Sequence, residues 1–330
     1  MGAGNFSAVK LRRGGSPGQL RGPPWLLALG VALVSLVISC AGAARKPVVE
    51  APAEAPRPRN AAAIAQEVAG GKVSVLVYAD RTRGHPIAAR LAGLDLWGPV
   101  LDGTGIDPQK DLSRAFVSAP SVRAGRDAVV VLEHTLTSDR LKAGLDALAA
   151  CSEPPGGPLE GLGVPALRVT LRGHALVVAT VEPSFLVVLP EAKAGEAKRF
   201  VGTGGFADPK GPEAAVATAL DPARTLAAPH APKVPSTVSA LAALVTLAGD
   251  GGADIAIDGP SASAEQARTD ADELSAAVER ATTLRVAIVK IRVFDPIKFT
   301  AEGERVTATR HVSPQEIDRL FALLSAVIPR

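Results

Sequence analysis

"HTLTSDRLKAGLDALA" (His134–Ala149) and "RHVSPQEIDRLFALLS" (Arg310–Ser325) share one pattern, a strand end at a histidine followed by a capped amphipathic helix. Thr137 and Ser313 are the expected N-cap residues, because a hydroxyl there accepts a hydrogen bond from a free N–H of the first helical turn. Behind each cap, apolar residues recur at helical spacing. The two stretches predict an α+β fold in which helices pack on one face of antiparallel sheets.

Strands and helices are also predicted on both sides of the first stretch. Short β-branched and apolar runs bounded by Gly, Pro or Asp indicate strands, and Ala-rich or amphipathic runs indicate helices. Arg172–His174 is a turn that joins two of the strands as a hairpin. In this half, strands are expected at 73–79, 115–119, 128–133, 166–171, 175–181 and 185–189, and helices at 61–70, 86–96, 141–150 and 191–200.

The second half repeats this outline. A hairpin is expected over 237–257, and a long helix begins at Ser263. A further hairpin turns at Glu302–Glu304, and the capping box Ser313–Glu316 opens the last helix. The stretch Leu284–Val293 fits either an extension of the long helix or a new strand, because its apolar residues match both periods.

The two halves therefore predict two related β-α-β-β-α lobes, residues 61–200 and 201–330. Each is expected to be an antiparallel sheet with helices on one face. The alternative is the simple recurrence of a common strand-to-helix turn without any relation between the halves.

Residues 1–39 have the layout of a secretory signal peptide. The four basic residues before position 44 are the only charges there, so removing them from the net charge of +3 leaves −1. They are Lys10, Arg12, Arg13 and Arg21. Trp25–Cys40 then supplies sixteen residues without a charge. The pI near 9.0 thus reflects a targeting segment and not a nucleic-acid surface, and the 3% aromatic content argues against base stacking.

Val37-Ile38-Ser39-Cys40 resembles the lipobox of bacterial lipoproteins, with an aliphatic residue at −3, a small residue at −1 and then cysteine. The resemblance implies that the thiol of Cys40 is diacylglyceryl-modified, that the signal is cleaved before it, and that the new amino group is acylated. Two readings stay open beside this one. Trp25–Ala44 is long enough for an uncleaved signal anchor, and an ordinary cleaved signal has the same layout.

Residues 40–60 are expected to form the lipidated cysteine and a tether. The segment after Cys40 contains four prolines among alanines and charged residues, a composition typical of an extended spacer. By resemblance, Ala41 in place of aspartate favours sorting to the outer membrane. The expected location is the periplasmic side of the cell membrane or outer membrane, with the lipid bilayer as a partner through the acyl chains of Cys40.

Few residues carry chemistry in the predicted folded part. The charged segment Asp80–His85 follows a predicted internal strand, so Asp80, Arg81, Arg83 and His85 are a candidate ligand site. Asp102, Asp107 and Asp111 supply oxygen ligands, but their spacing does not match a known calcium loop. Cys151 is expected to be a buried structural thiol, with a reactive nucleophile as the alternative. No motif indicates a cofactor or a metal, and His134 and His311 are expected at equivalent strand ends.

The chain as a whole resembles Ala-rich lipoproteins of high-GC Gram-negative bacteria, on the lipobox, the Pro/Ala tether and the α+β body with its "GIDPQKDL" turn (Gly105–Leu112). The resemblance implies a location and no activity. The first hypothesis is a membrane-anchored, non-catalytic domain that binds a protein partner or supports the envelope. The alternatives are a carrier that holds an apolar ligand between sheet and helices, and a signal-anchored single-pass protein. An enzyme is disfavoured, since it needs a cleft that gathers Asp80, His85, His134 or His311.

Overall fold

A computed structural model describes residues 60–93 and 103–327, apart from short gaps at 172, 183, 204, 207–208, 210, 229–230, 287–288 and 293–294. The fold begins at Asn60, whose side chain accepts a hydrogen bond from the Ala63 N–H at 2.9 Å and so caps the first helix. That helix ends at Gly70, which adopts a left-handed φ of +63°. The predicted signal peptide, the lipobox-like segment with Cys40 and residues 41–59 of the predicted tether lie outside the described residues.

The described elements alternate between helices and strands. The helices are α1 (Ala61–Ala69), α2 (Ala79–Thr82), α3 (Pro86–Gly93), α4 (Pro108–Asp111), α5 (Ser138–Ala150), α6 (Pro222–Thr225), α7 (Ala264–Thr282) and α8 (Pro314–Val327), with 3-10 segments at Val122–Asp127 and Glu191–Phe200. The strands are β1 (Val73–Tyr78), β2 (Leu112–Ala119), β3 (Val129–His134), β4 (Gly157–Pro158), β5 (Ala166–Leu171), β6 (His174–Glu182), β7 (Phe185–Pro190), β8 (Glu213–Leu220), β9 (Ala240–Leu247), β10 (Ala253–Pro260), β11 (Thr283–Val286), β12 (Val289–Arg292), β13 (Thr300–Glu302) and β14 (Arg305–Val312).

Twelve of the strands form one antiparallel sheet, in the order β13-β14-β10-β9-β8-β1-β2-β3-β7-β6-β5-β4. The α+β class is confirmed. The expected lobes are joined, since β1 pairs with β8 across the middle of the sheet. Each half contains a three-strand meander, then a helix, then a later strand that returns to pair with the third strand of the meander, β7 with β3 and β14 with β10.

The two sequence stretches that predict the fold class hold different places in this topology. The first joins β3, the third strand of its meander, to α5. The second joins β14, the last strand of its half, to α8. The two stretches therefore hold non-equivalent places in the strand order, and the relation between the halves stays a prediction.

Helices α5, α7 and α8 lie on the same face of the sheet. Side chains alternate along a strand, and residues paired across strands share a face, so Val75, Ala217 and Ile257 face α7. Ile317 of α8 belongs to the same core, and Leu141 of α5 packs on this face in the first half. Sequence analysis predicts helices on one face of the sheet, and the described helices of the second half have this arrangement.

The first half is covered on its other face as well. There α1 and the 3-10 segment Glu191–Phe200 pack on a core that contains Phe116, Val131 and Val187. On the same face of the second half, Leu244 and Ala256 are half-buried and belong to none of the described core clusters. The two halves therefore bury their sheets to different extents.

Both predicted N-caps are confirmed. Thr137 Oγ1 accepts from the Arg140 N–H at 3.4 Å. Ser313 and Glu316 form a reciprocal capping box, in which Ser313 Oγ accepts from the Glu316 N–H at 3.3 Å and Glu316 Oε2 accepts from the Ser313 N–H at 3.0 Å. Helix α7 ends at Thr282 and two strands follow, so the ambiguous stretch after it is a hairpin.

Candidate functional site

An apolar groove lies between α7 and strands β8, β9 and β10. Alanines at 217, 219 and 243 form much of its floor, and their small side chains leave space beneath the helix. The groove holds about 30 Å³ of free space. Its lining is Ala217, Thr218, Ala219, Leu226, Pro232, Val234, Leu241, Ala242, Ala243, Ile257, Leu274, Val278 and Phe299.

A proline-rich segment, residues 226–238, closes one side of this groove, and we call it the strap. Leu226, Pro232 and Val234 of the strap line the groove, and Val238 at its end is 1% exposed. The strap connects α6 to β9. The strap therefore contributes lining residues without belonging to the sheet.

Asp270 holds the end of the strap against α7. Its carboxylate is fully buried and accepts hydrogen bonds from Thr237 Oγ1 at 2.6 Å and Ser261 Oγ at 2.5 Å. Gln266 Nε2 donates to the same carboxylate at 2.9 Å. A buried carboxylate needs such donors, because burial without them is costly. Asp270 therefore ties together the strap, the end of β10 and helix α7.

The free space in the groove is small for a ligand site. Pockets that bind drug-sized ligands enclose roughly 300–1,000 Å³, whereas 30 Å³ is room for about one water molecule. The groove in this conformation is therefore a core with a small apolar hole. A larger apolar ligand would require displacement of part of this lining.

The candidate ligand residues that follow β1 contact three different parts of the fold. Arg81 Nη1 donates to the Gly211 and Glu213 carbonyls, both at 2.6 Å, and its guanidinium lies 4.9 Å from the centre of the Tyr78 ring. Arg83 donates to the carbonyls of Gln109 at 2.9 Å and Leu112 at 2.6 Å. These contacts fasten the segment to the starts of β8 and β2.

His85 contacts the β9–β10 turn. Its Nε2 lies 3.0 Å from the Ala248 carbonyl oxygen, and its Nδ1 accepts from the Ile87 N–H at 3.3 Å. A carbonyl oxygen only accepts, so Nε2 carries the proton. Asp80 is exposed to solvent. The structure therefore does not bring Asp80, Arg81, Arg83 and His85 together around one point.

The carboxylates of the "GIDPQKDL" turn are bound by the protein's own donors. Asp107 caps α4 by accepting from the Gln109 N–H at 3.0 Å, and a hydrogen bond from Lys110 lowers its pKa. Asp111 is buried and accepts from both Nη atoms of Arg140 at 3.1 and 3.0 Å. Asp102 lies outside the described residues. Among the residues that the structure does describe, no group of three His, Cys, Asp or Glu side chains has metal-binding geometry.

His134 is buried at the end of β3 without a hydrogen bond to either ring nitrogen. It is 3% exposed and pairs with Leu112 in the β2–β3 ladder. Desolvation lowers its pKa below the usual value, and the carboxylates of Asp111 and Glu133 oppose that shift. His134 is therefore held as a neutral imidazole at pH 7.

His311 lies between two carboxylates on the other half of the sheet. Its Nδ1 is 2.9 Å from Asp254 Oδ1, and its Nε2 is 2.9 Å from Asp250 Oδ2. Its side chain is 44% exposed. The hydrogen bond to Asp254 raises the pKa of His311, and that to Asp250 adds to the shift. The two histidines and His85 thus make separate contacts.

Cys151 corrects an expectation from the sequence. It was expected to be buried, but it is exposed at the C-terminal end of α5. The helix buries Leu141, Gly144 and Leu148 along one stripe. Position 151 comes three residues after Leu148, yet it is the C-cap residue of the helix, and its side chain faces solvent although the next residue, Ser152, is buried.

The sequence pattern missed the groove and Asp270. The groove depends on β8, whose sequence EAAVATAL favours a helix by composition and was not predicted as a strand. The signal in the sequence is the alternation of alanine with larger residues over 215–220, followed by the proline-rich strap. No helix among the described residues is long and apolar enough to cross a membrane.

Comparisons with known proteins show little similarity. No protein-family model and no curated protein sequence matches the chain. A solved structure described as "Structure of crystal form I of TP0453" is similar at 10% identity and a TM-score of 0.43, over 78% of this chain and 95% of that chain. At this identity and TM-score the similarity carries no information about function.

Proposed function

We propose that the protein is an exported, lipid-anchored envelope protein with a non-catalytic α+β domain that faces the periplasm. The observation that carries this proposal is the position of the lipobox. Only a proline-rich segment, residues 41–59, separates Cys40 from Asn60, which is the first residue of the described fold. A domain attached in this way hangs from the membrane without any contribution of its core to the anchor.

The physical chemistry of anchoring supports the proposal. One acyl chain gives marginal and reversible binding to a bilayer, whereas two or more chains hold a protein stably. A cysteine with diacylglycerol on the thiol and an acyl group on the amine carries three chains. The proline-rich tether then keeps the domain away from the headgroups.

The intact mass of the mature protein tests the proposal. We expect a chain that begins at residue 40 and is heavier by a diacylglyceryl and an acyl group when the protein is made in a Gram-negative host. Cys40→Ser removes the added mass. Cys151→Ser is the matched control, because it removes the exposed cysteine of the folded domain and leaves the lipid in place.

Two results contradict the lipoprotein. A chain that retains residues 1–39 without lipid makes Trp25–Ala44 a signal anchor. A chain cleaved in this region without added mass makes the segment an ordinary secretory signal.

Membrane fractionation of the lipidated protein then shows whether it is in the cell membrane or the outer membrane, and the outer membrane is expected from Ala41.

A second candidate function is the transport of an apolar ligand, and the lining of the groove favours it. Its walls expose almost only apolar atoms, and its alanine floor leaves room that longer side chains would fill. The ligand would enter with displacement of part of this lining. The ligand expected in this groove is a lipid acyl chain or a similar aliphatic group.

Binding of a fluorescent fatty-acid analogue tests this function. Ala243→Val fills the floor of the groove, and Ala256→Val is the matched control on the opposite face of the sheet. We expect Ala243→Val to weaken binding about tenfold, the effect of removing room for one or two methylene groups, and Ala256→Val to leave it unchanged. Equal affinities for both variants and the parent chain would exclude the groove as the binding site.

A further inference from the structure

Asp111 joins three elements at one corner of the sheet. Its carboxylate accepts hydrogen bonds from both Nη atoms of Arg140 on α5, at 3.1 and 3.0 Å. Its backbone carbonyl accepts from the N–H of Thr135, the residue after β3, at 2.8 Å. Asp111 is therefore the common partner of α4, the end of β3 and the start of α5. We call residues 104–112 and 134–141 the corner.

His134 lies in the corner with a buried imidazole. It is 3% exposed, and among the described residues neither ring nitrogen has a hydrogen-bond partner. Its backbone pairs with Leu112, the residue after Asp111, and its backbone N–H donates to the Ser184 carbonyl at 2.9 Å. Burial of a neutral imidazole without partners is costly, and burial of an imidazolium is far more costly. The closed corner therefore favours the neutral form of His134.

The charged side chains on the elements around this imidazole already have partners. They are Arg83 after α2, Asp111 of α4, Arg114 of β2, Glu133 of β3 and Arg140 of α5. Arg140 holds Asp111, and Glu133 accepts from Arg114 Nη2 at 3.0 Å. Burial lowers the pKa of His134, and the carboxylates of Asp111 and Glu133 oppose that shift. A proton on His134 therefore meets two carboxylates that arginines already hold.

We propose that protonation of His134 opens the corner while the rest of the sheet stays folded, so that the corner is an acid-sensitive switch. Opening brings the imidazolium into contact with water, which solvates it better than the closed corner does. The ladders of β1 with β2 and with β8 involve no residue of the corner, so they persist in the open state.

The switch changes which apolar side chains meet solvent. Leu136 and Leu141 are 7% and 5% exposed in the closed corner, and they become accessible when it opens. The contacts that drive the switch lie inside the folded domain. It therefore operates whether or not Cys40 carries lipid, and it goes beyond the proposed function.

Hydrogen exchange of the full-length chain, followed by mass spectrometry between pH 7 and pH 5, tests the switch. Each exchange rate is divided into the rate of an unstructured peptide at the same pH, which gives a protection factor. Each opening takes up one proton at His134. Protection in the corner should therefore fall by up to about tenfold per pH unit below pH 6.5, the ordinary pKa of histidine.

The urea dependence of exchange separates local opening from global unfolding. Local opening exposes little surface, so protection in the corner should change little in dilute urea. Strand β10 is the internal reference, because we expect its amides to exchange through global unfolding and to lose protection steeply with urea. Both measurements use the parent chain, so they test the switch without any variant.

A substitution at position 134 assigns the proton. His134→Leu removes the group that binds it and should abolish the pH dependence of protection in the corner. His311→Gln is the matched control, because it removes the other histidine at a strand end and lies outside the corner. Protection of β10 at pH 7 shows whether each variant is folded.

Three results overturn the proposal: equal protection of the corner at pH 7 and pH 5, a urea dependence in the corner equal to that of β10, and a pH dependence that persists in His134→Leu. The second result would mean that His134 takes up its proton only when the whole chain unfolds. The third would assign the proton to another group. None of them bears on the lipid at Cys40, which the intact mass tests separately.

Discussion

His134 and His311 occupy similar sequence contexts in the two halves of the molecule and opposite physical environments. His134 lies on the helical face of the sheet, buried beside Asp111 and without a partner on either ring nitrogen. His311 lies on the opposite face of the second half and is bonded to Asp254 and Asp250. Burial keeps the first imidazole neutral, and the paired carboxylates favour protonation of the second.

The opposite pKa shifts give opposite linkage to pH. The unfolded chain binds a proton at His134 more tightly than the folded chain, so His134 destabilises the fold as the pH drops below its unfolded pKa of 6.5. The folded chain binds a proton at His311 more tightly. That stabilisation is fully present below pH 6.5 and is lost as the pH rises through the raised pKa of His311.

The same substitution at both sites gives the largest expected contrast. His134→Lys places a fixed charge in a buried site and should lower the free energy of unfolding by about 3 kcal/mol. His311→Lys keeps a cation between two carboxylates at an exposed site and should change it by less than about 1 kcal/mol. Urea unfolding at pH 7 measures both values, and equal losses would mean that the two environments are not different.

Removal of the buried imidazole sharpens the comparison. His134→Leu replaces an unsatisfied polar group with an apolar one and should raise the free energy of unfolding by about 1 kcal/mol at pH 7. The advantage of this variant over the parent chain should grow as the pH falls from 7 to 5. The measurement is urea unfolding of both proteins across this range. A constant difference would show that His134 does not titrate between the folded and unfolded states.

The exposed histidine should show a smaller effect with the opposite pH dependence. His311→Gln removes the charge, so the variant should lose less than about 1 kcal/mol of stability at pH 5.5, since solvent screens the pair. The loss should fade as the pH rises through the pKa of His311. It should also shrink in 0.5 M salt, about the concentration at which the Debye length falls below 5 Å. A loss that is independent of pH and salt would indicate a packing effect.

The smallest expected effect is the difference between the contributions of Asp254 and Asp250 to the pKa of His311. Asp254→Asn should lower the pKa of His311 more than Asp250→Asn does, because the hydrogen bond that His311 donates to Asp254 is the largest cause of the shift. Asp250 also accepts from the Gly252 N–H at 2.8 Å, which divides its charge between two donors. Titration of the imidazole by nuclear magnetic resonance measures both variants. The reverse order would make Asp250 the principal partner.

Local sequence signals predicted the ends of elements well. The caps at Thr137 and Ser313 were predictable, because a hydroxyl and the next few residues contain the whole interaction. The strand β8 was not predictable in the same way. Its alanines favour a helix in isolation, and pairing with β1 and β9 at the centre of the sheet overrides that preference.

The site residues show the same division. The charge of Asp80–His85 and its place after a predicted internal strand suggested a binding segment, but Arg81, Arg83 and His85 reach backbone carbonyls on three distant elements. Those acceptors lie far away in sequence, so no local pattern contains them. The groove and Asp270 depend likewise on residues from the strap, β8, β10 and α7.

The sequence by itself determined the α+β class, the caps and most hairpins, because each depends on residues within a few positions of one another. The segment that resembles a lipobox and the proline-rich segment after it remain predictions of the same local kind. Only the tertiary structure decided that two halves share one sheet, that β11 and β12 stand apart from it, and that His134 is neutral while His311 favours a proton. Burial and ionisation depend on neighbours brought together by the fold. The repeated sequence pattern contains no information about those neighbours.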